Sequence, residues 1–389
     1  MPFISGPDGD LKTAFVSDAF LLDQFVGNTL FCWGFNSHGA LGDNTATSKS
    51  NPVQTVTGGI NWKQVASGNN NTAVIKTDGT LWRWGLNTNG QLGDNTATKK
   101  SSPVQTIAFG TNWKSVSCGL YNTAAIKTDG TLWTWGDNSN GQLGDNTIAN
   151  SPWGKSSPVQ TIAFGTNWKQ VSAGSGHTAA IKTDGTLWTW GSNNLGQLGD
   201  NTTAYKSSPV QTVTFGTNWK QVSCGSIVTS AIKTDGTLWT WGGNGYGQLG
   251  DNTIVSKSSP VQTIAFGTNW KQISSGSNTV AIKTDGTLWT WGGNGYGQLG
   301  DNTIVSKSSP VQTIAFGTNW KQVSASISTT AAIKTDGSLW LWGRNAYGNL
   351  GDNTTTNRSS PVQTSAYGNN WKQVACWFYH TAAITNGDL

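Results

Sequence analysis

The side chains that could do chemistry in this 389-residue chain are 19 carboxylates, all of them Asp, three His and four Cys. Paired carboxylates would serve acid–base catalysis, a Cys/His set would hold zinc, and a Ser on a strand-to-helix elbow would be a nucleophile. The spacing argues against each. Six Asp stand in the Asp-Gly pairs of the repeats (Asp78, Asp129, Asp184, Asp235, Asp285, Asp336) and seven in Leu-Gly-Asp (Asp43, Asp94, Asp145, Asp200, Asp251, Asp301, Asp352). An Asp demanded by every repeat is a turn residue, because its short side chain bonds the backbone two residues on. His177 and His380 share a slot that Asn71, Asn122 and Asn278 fill elsewhere, which marks a local hydrogen-bond donor rather than a metal ligand. Cys118, Cys224 and Cys376 share a slot with Ala173 and Ser275, as small buried residues do. No glycine-rich loop ends in Gly-Lys-Ser/Thr. The chain is therefore expected to be no enzyme, with no catalytic centre, no cofactor and no bound metal.

The elements that would carry these residues repeat. The Gly closing each Trp-x-Trp-Gly box falls at Gly34, Gly85, Gly136, Gly191, Gly242, Gly292 and Gly343, and residues 239–272 are identical to 289–322. One unit, from Ser207, predicts four short strands: Pro209–Val213, Trp219–Ser223, Thr229–Thr234 and Thr237–Gly242. Asp235-Gly236 reads as a two-residue hairpin turn with positive φ at both positions. Trp239 and Trp241 alternate with Thr240, so both indoles share a face. Seven such units predict an all-β, seven-bladed β-propeller with four antiparallel strands per blade. The fourth strand missing after Thr381–Ile384 is present at Thr29–Gly34. The ring is thus expected to close by an N-terminal strand joining the C-terminal blade, three strands coming from one end and one from the other. Cys32 and Cys376 then sit two strands apart, beyond disulfide reach.

Composition agrees. Gly is 50 residues and Trp 22, Glu is absent, and a helical bundle would not give up its best formers this way. Such Trp density also argues against disorder. Net charge is +5 with only 11% charged residues and no basic block, so no nucleic-acid partner is expected. No apolar window is long enough to span a bilayer, so no membrane insertion is expected. Met1 to Gly27 lacks a basic stretch ahead of an apolar core, so no secretory leader is expected.

The stretch Thr-Ala-Ala-Ile-Lys-Thr-Asp-Gly-Thr-Leu-Trp-Thr-Trp-Gly-x-Asn-x-x-Gly-Gln-Leu-Gly-Asp, clearest at 123–145 and 178–200, resembles the regulator of chromosome condensation repeat. The resemblance covers residues 28–389 and implies a seven-bladed propeller. The founder of that family is a chromatin-bound guanine-nucleotide exchange factor. That activity is not carried over, because this chain has no basic nucleosome-binding arm and no exchange wedge interrupts its uniform blades. The variant here is similar to propellers of bacteria and phages that act as binding modules.

Specificity should lie where repeats differ. Loops between the predicted second and third strands, and from the fourth to the next unit, share one face, and that face varies. It carries Tyr121, an insertion with Trp153, and Trp377-Phe378-Tyr379. Trp153 and Trp377 are the two Trp outside the periodic pattern and are expected to be exposed for binding; Trp377 to Tyr379 could instead seal the junction blade. Residues 1–27 form a separate segment whose Phe15, Phe20, Leu22 and Phe25 suggest an arm that docks on a partner or caps the propeller. Together these features predict a phage virion structural protein, tail-, fibre- or capsid-associated. It would dock on other virion proteins through residues 1–27 and meet a host-surface protein or glycan through the varied face. The alternative is a cellular, cytoplasmic regulatory or inhibitory propeller binding one protein partner, with an exchange factor its least expected form.

Overall fold

The computed structural model describes residues 27–387 except 57–58, 108–109, 150–153, 163–164, 214–215, 265–266, 316 and 366–367. The described residues form seven four-stranded antiparallel sheets arranged as a ring. The inner strands are Trp62–Gly68, Trp113–Cys118, Trp168–Ala173, Trp219–Cys224, Trp270–Ser275, Trp320–Ala325 and Trp371–Trp377, and they number blades one to seven. In blade four the second strand is Val228–Lys233, the third Leu238–Gly242 and the outer Lys257–Gln262.

The ring closes in blade seven, where Leu30–Gly34 pairs with His380–Thr385 in the register Leu30 to Ile384 through Gly34 to His380. The division differs from the expected three plus one. Lys49–Gln54 pairs outside Leu30–Gly34, so each end of the chain supplies two strands. The reason is local: the Lys-Ser-Ser-Pro-Val-Gln strand returns along the outside of the Trp-x-Trp strand that precedes it, and so belongs to that earlier blade, as Trp239↔Gln262 shows.

The hairpin turn also differs from expectation. Gly236 takes φ +81, but Asp235 is not left-handed. Gly236 N donates to Lys233 O at 3.0 Å and Lys233 N to Thr237 O at 3.0 Å. That is a three-residue loop with the glycine in the left-handed position. The Asp instead organises the loop. Asp235 Oδ1 accepts from Thr237 N and Thr237 Oγ1, whose oxygen accepts from Trp239 Nε1 at 3.0 Å. Lys233 Nζ lies 4.5 Å from the centre of the Trp239 ring and 4.9 Å from that of Trp219.

The core lies between blades rather than within them. Ala179, Ile181 and Leu187 of blade three pack on Trp219, Val222, Cys224, Ala231 and Trp241 of blade four. Trp241 is fully buried and donates from Nε1 to Gln197 O of the preceding blade at 3.0 Å. Each such Trp contributes roughly 4–6 kcal/mol by area, an upper bound. The Gly of Leu-Gly-Asp makes room for it: a Cβ on Gly199 would sit 2.7 Å from Trp241 Nε1. The rest of that loop is pinned by one side chain, Asn193. Its Nδ2 donates to Asp200 Oδ1 and Thr202 O, and its Oδ1 accepts from Leu198 N.

Candidate functional site

The Asp, His and Cys singled out by the sequence are used inside the fold. Asp78 and its turn equivalents are held below the ordinary carboxylate range, chiefly by hydrogen bonds from the Thr or Ser two residues on. His177 Nε2 meets Thr229 Oγ1 at 2.9 Å and His380 Nε2 meets Thr72 Oγ1 at 3.0 Å, each across a blade junction. Burial lowers both imidazoles to about 4, so both are neutral at pH 7. Burial also pushes the Cys224 thiol up to about 12 and that of Cys376 to about 11, the opposite of a reactive thiol. Among the described residues no group of three or more His, Cys, Asp or Glu could hold a metal ion.

The central channel is narrow, about 160 Å³. A ring of Ser hydroxyls lines it, and they are committed to joining blades. Ser117 Oγ accepts from Ala173 N, Ser172 Oγ from Cys224 N and Ser223 Oγ from Ser275 N, at 2.9–3.0 Å.

The varied face is different. Its loops lie together in each blade, tied by bonds such as Leu86 N to Asn70 O at 2.7 Å and Asp137 N to Tyr121 O at 2.9 Å. At blades five to seven they gather an arc of aromatic rings around one cation. The Arg344 guanidinium lies 5.1 Å from the Tyr296 ring centre and 4.9 Å from that of Tyr379, with Nη1 3.5 Å from the Tyr379 hydroxyl. Tyr379 contacts Phe378, Tyr347 and Phe35 at 4.4, 5.2 and 5.9 Å, and Phe35 packs on Tyr347 at 4.7 Å with the rings tilted by 57°. His38 continues the arc 6.1 Å from Phe35; burial, then the Lys99 charge, lowers its pKa.

The Asp352 carboxylate of this face turns inward. Asp352 is bonded by Thr354, Asn345 and Arg358, which outweigh its burial and hold it ionised. Among the described residues no carboxylate lies within ion-pair distance of Arg344. The arc thus presents an unpaired cation amid half-exposed rings, the residue types that carry energy at protein interfaces.

The expected site residues divide. Phe378 and Tyr379 are half-buried members of the arc. Tyr121 is half-buried on the same face in blade two, and no ring contact joins it to the arc. Trp377 is not exposed as expected: it ends the inner strand of blade seven, opposite His380, is 6% accessible and borders the channel. Trp153, Phe15, Phe20, Leu22 and Phe25 lie outside the described residues. Phe35, Tyr296, Arg344 and Tyr347 were not anticipated. Their signal was available by aligning the first and fourth positions after each Trp-Gly, which read Phe35 and His38, Gly293 and Tyr296, Arg344 and Tyr347 in three blades.

An RCC1-like domain model matches residues 19–302, and regulator of chromosome condensation (RCC1) repeat models match 285–333 and 336–384. The chain is similar to the ultraviolet-B receptor UVR8 of Arabidopsis thaliana, 32% identical over 61% of this chain and 54% of the receptor. It is also similar to the human E3 ubiquitin-protein ligase HERC2, 29% identical over 94% of this chain and 8% of the ligase. It therefore spans about half of the receptor and a small part of the ligase. Among solved structures, human WBSCR16 superposes with a TM-score of 0.81 at 22% identity, covering 92% of this chain and 99% of that one. Yeast Prp20p, from Saccharomyces cerevisiae, whose structure was described with its binding to Gsp1p and histones, superposes at 0.81 and 18% identity, covering 97% and 96%. At such identities the likeness shows the fold alone.

These relatives overturn the expectation of a phage virion protein, and with it the virion partners and host-surface ligand. They are plant, human and yeast proteins, and nothing in them points to a viral particle.

Proposed function

Because the chain belongs to the family of RCC1-like domains, we propose that it is a regulatory propeller that binds one protein partner and performs no catalysis itself. The observation that carries this reading is the arc Tyr296–Arg344–Tyr379–Tyr347–Phe35, assembled from three blades on one face. The opposite face supports it by contrast: blades one to six repeat there the same Thr-Asp-Gly turn, with the preceding Lys over two Trp rings each time. Two of the similar proteins are named a receptor and an E3 ubiquitin-protein ligase, which is consistent with a partner-binding role.

The test is affinity capture with the purified full chain as bait, read by quantitative mass spectrometry. A bait carrying Tyr347→Ser and Tyr379→Ser should lose the partner. A bait carrying Thr234→Lys and Thr284→Lys, exposed positions on the opposite face, should keep it. The reverse pattern would place the partner on the monotonous face.

A further inference from the structure

The first residue after Trp-Gly in one blade reaches toward the fourth residue after Trp-Gly in the blade before it. At two junctions the intervening space is filled by the chain itself. Arg344 of blade six lies over Tyr296 of blade five at 5.1 Å, and Phe35 of blade seven packs on Tyr347 of blade six at 4.7 Å. Between blades four and five the incoming residue is Gly293, and the space beside Tyr246 stays open. A Cβ on Gly293 would meet only Ser277 O at 3.2 Å and Gln298 at 3.8 Å. One blade earlier the same position, Gly243, is closed by Ile227 at 2.5 Å and Leu195 at 3.0 Å.

The result is a cavity of about 280 Å³ lined by Tyr246, Ser277, Gly293, Tyr296, Ile304 and Ile327 among others, none of them charged. Tyr246 is 61% and Ile304 67% exposed, so its rim is apolar and accessible. The volume falls just short of the roughly 300–1,000 Å³ of sites for whole small molecules, and suits a single large side chain.

We propose that this cavity receives an aromatic side chain of the partner protein, from a segment that carries a carboxylate beside that aromatic. The inference rests on the reading of this face as the partner-binding one. The ring is argued from the fold's own solution: Phe35 fills the equivalent space, its ring tilted 57° against that of Tyr347. The carboxylate is argued from charge. Arg344 stacks on the Tyr296 wall with no carboxylate partner among the described residues, so an acidic neighbour is attracted and a basic one repelled.

The probe is a display library of random dodecapeptides panned on the full chain. The wild type should enrich peptides with Phe, Tyr or Trp beside Asp or Glu. Gly293→Phe and Gly293→Arg place in the cavity the residues that blades seven and six use, and should lower binding of the enriched peptides at least about tenfold with an unchanged melting temperature. Tyr246→Ala, which removes an exposed ring, gives the same reading should either glycine variant fold poorly. Arg344→Gln should keep the aromatic preference and lose the acidic one. Enrichment of basic or aliphatic peptides, no enrichment at all, or equal binding by the Gly293 and Tyr246 variants would overturn the proposal. If those variants keep the captured partner while Tyr347→Ser with Tyr379→Ser loses it, the cavity is wrong and the face is right. If both sets keep it, the face itself is wrong.

Discussion

Gln373 grips the Val65 peptide from both sides: its Oε1 accepts from Val65 N at 3.1 Å and its Nε2 donates to Val65 O at 3.4 Å, across 308 residues of sequence. The same clamp joins Gln170 to Val222, Gln221 to Ile273 and Gln322 to Val374. It is the polar half of the blade junctions that carry it, alongside the buried Trp.

One junction lacks it. Blade two carries Ser115 where the others have Gln, its hydroxyl is buried without a partner, and Val171 opposite is 8% exposed against 2% for Val222. Ser115→Gln should stabilise the ring by about 0.5–1.5 kcal/mol, the net worth of a hydrogen bond. Gln373→Ala should destabilise it by about 1–3 kcal/mol, because buried peptide groups lose partners. Thermal unfolding of both variants checks this; an unchanged midpoint for Ser115→Gln would show that the clamp does not limit that junction.

Arg83 is fully buried at the place where four other blades carry Thr134, Thr189, Thr240 and Thr290. It donates to Asn71 Oδ1 at 2.6 Å and also bonds Gln91 O and Thr123 Oγ1, but among the described residues no carboxylate pairs with it and its Nε has no partner. Burying an unpaired cation is costly. Arg83→Thr should therefore raise stability by about 1–3 kcal/mol, read as a higher melting temperature. A fall would mean that the guanidinium's packing against Trp135, 5.6 Å away, outweighs its desolvation.

The two buried His make stability depend on pH. Their folded pKa of about 4 lies below the unfolded value of 6.5, so the unfolded chain binds more protons between those limits. Stability is complete above 6.5 and falls as pH drops toward 4, by on the order of 3 kcal/mol per His. The turn Asp shift in the same sense, but their losses begin only below the ordinary carboxylate value of 3.8. His177→Asn with His380→Asn, the residue used at Asn122 and Asn278, keeps a donor toward the neighbouring Thr. Melting temperatures at pH 7.5 and 4.5 should differ far less in the double variant than in the wild type. Equal differences would assign the acid sensitivity to other groups.

Much of the fold was legible because a strand-and-turn grammar repeated seven times leaves little choice. The Trp-x-Trp-Gly period, the Asp-Gly turns and the strand displaced to Thr29–Gly34 announced a closed propeller. The phase of the repeat was not legible. In a circular array the Lys-Ser-Ser-Pro-Val-Gln strand can be grouped with either neighbour, and only its pairing with the Trp-x-Trp strand decides. The arc was half legible. Tyr379 departs from its repeat and stood out, whereas Phe35 and Tyr347 lie at opposite ends of the chain and meet only because the ring closes. Trp377 misled because leaving the period was read as leaving the core; the inner strand simply runs one residue longer there.

The central claim is that the aromatic arc is the partner-binding face, and the dissociation constant of the captured partner for two baits tests it most directly. Hot-spot truncations cost about 2 kcal/mol or more, close to thirtyfold in affinity. The account predicts that Tyr347→Ser with Tyr379→Ser weakens binding by at least that factor, while Thr234→Lys with Thr284→Lys leaves it unchanged. Equal affinity for the arc variant and the wild type, with both folded, would contradict it.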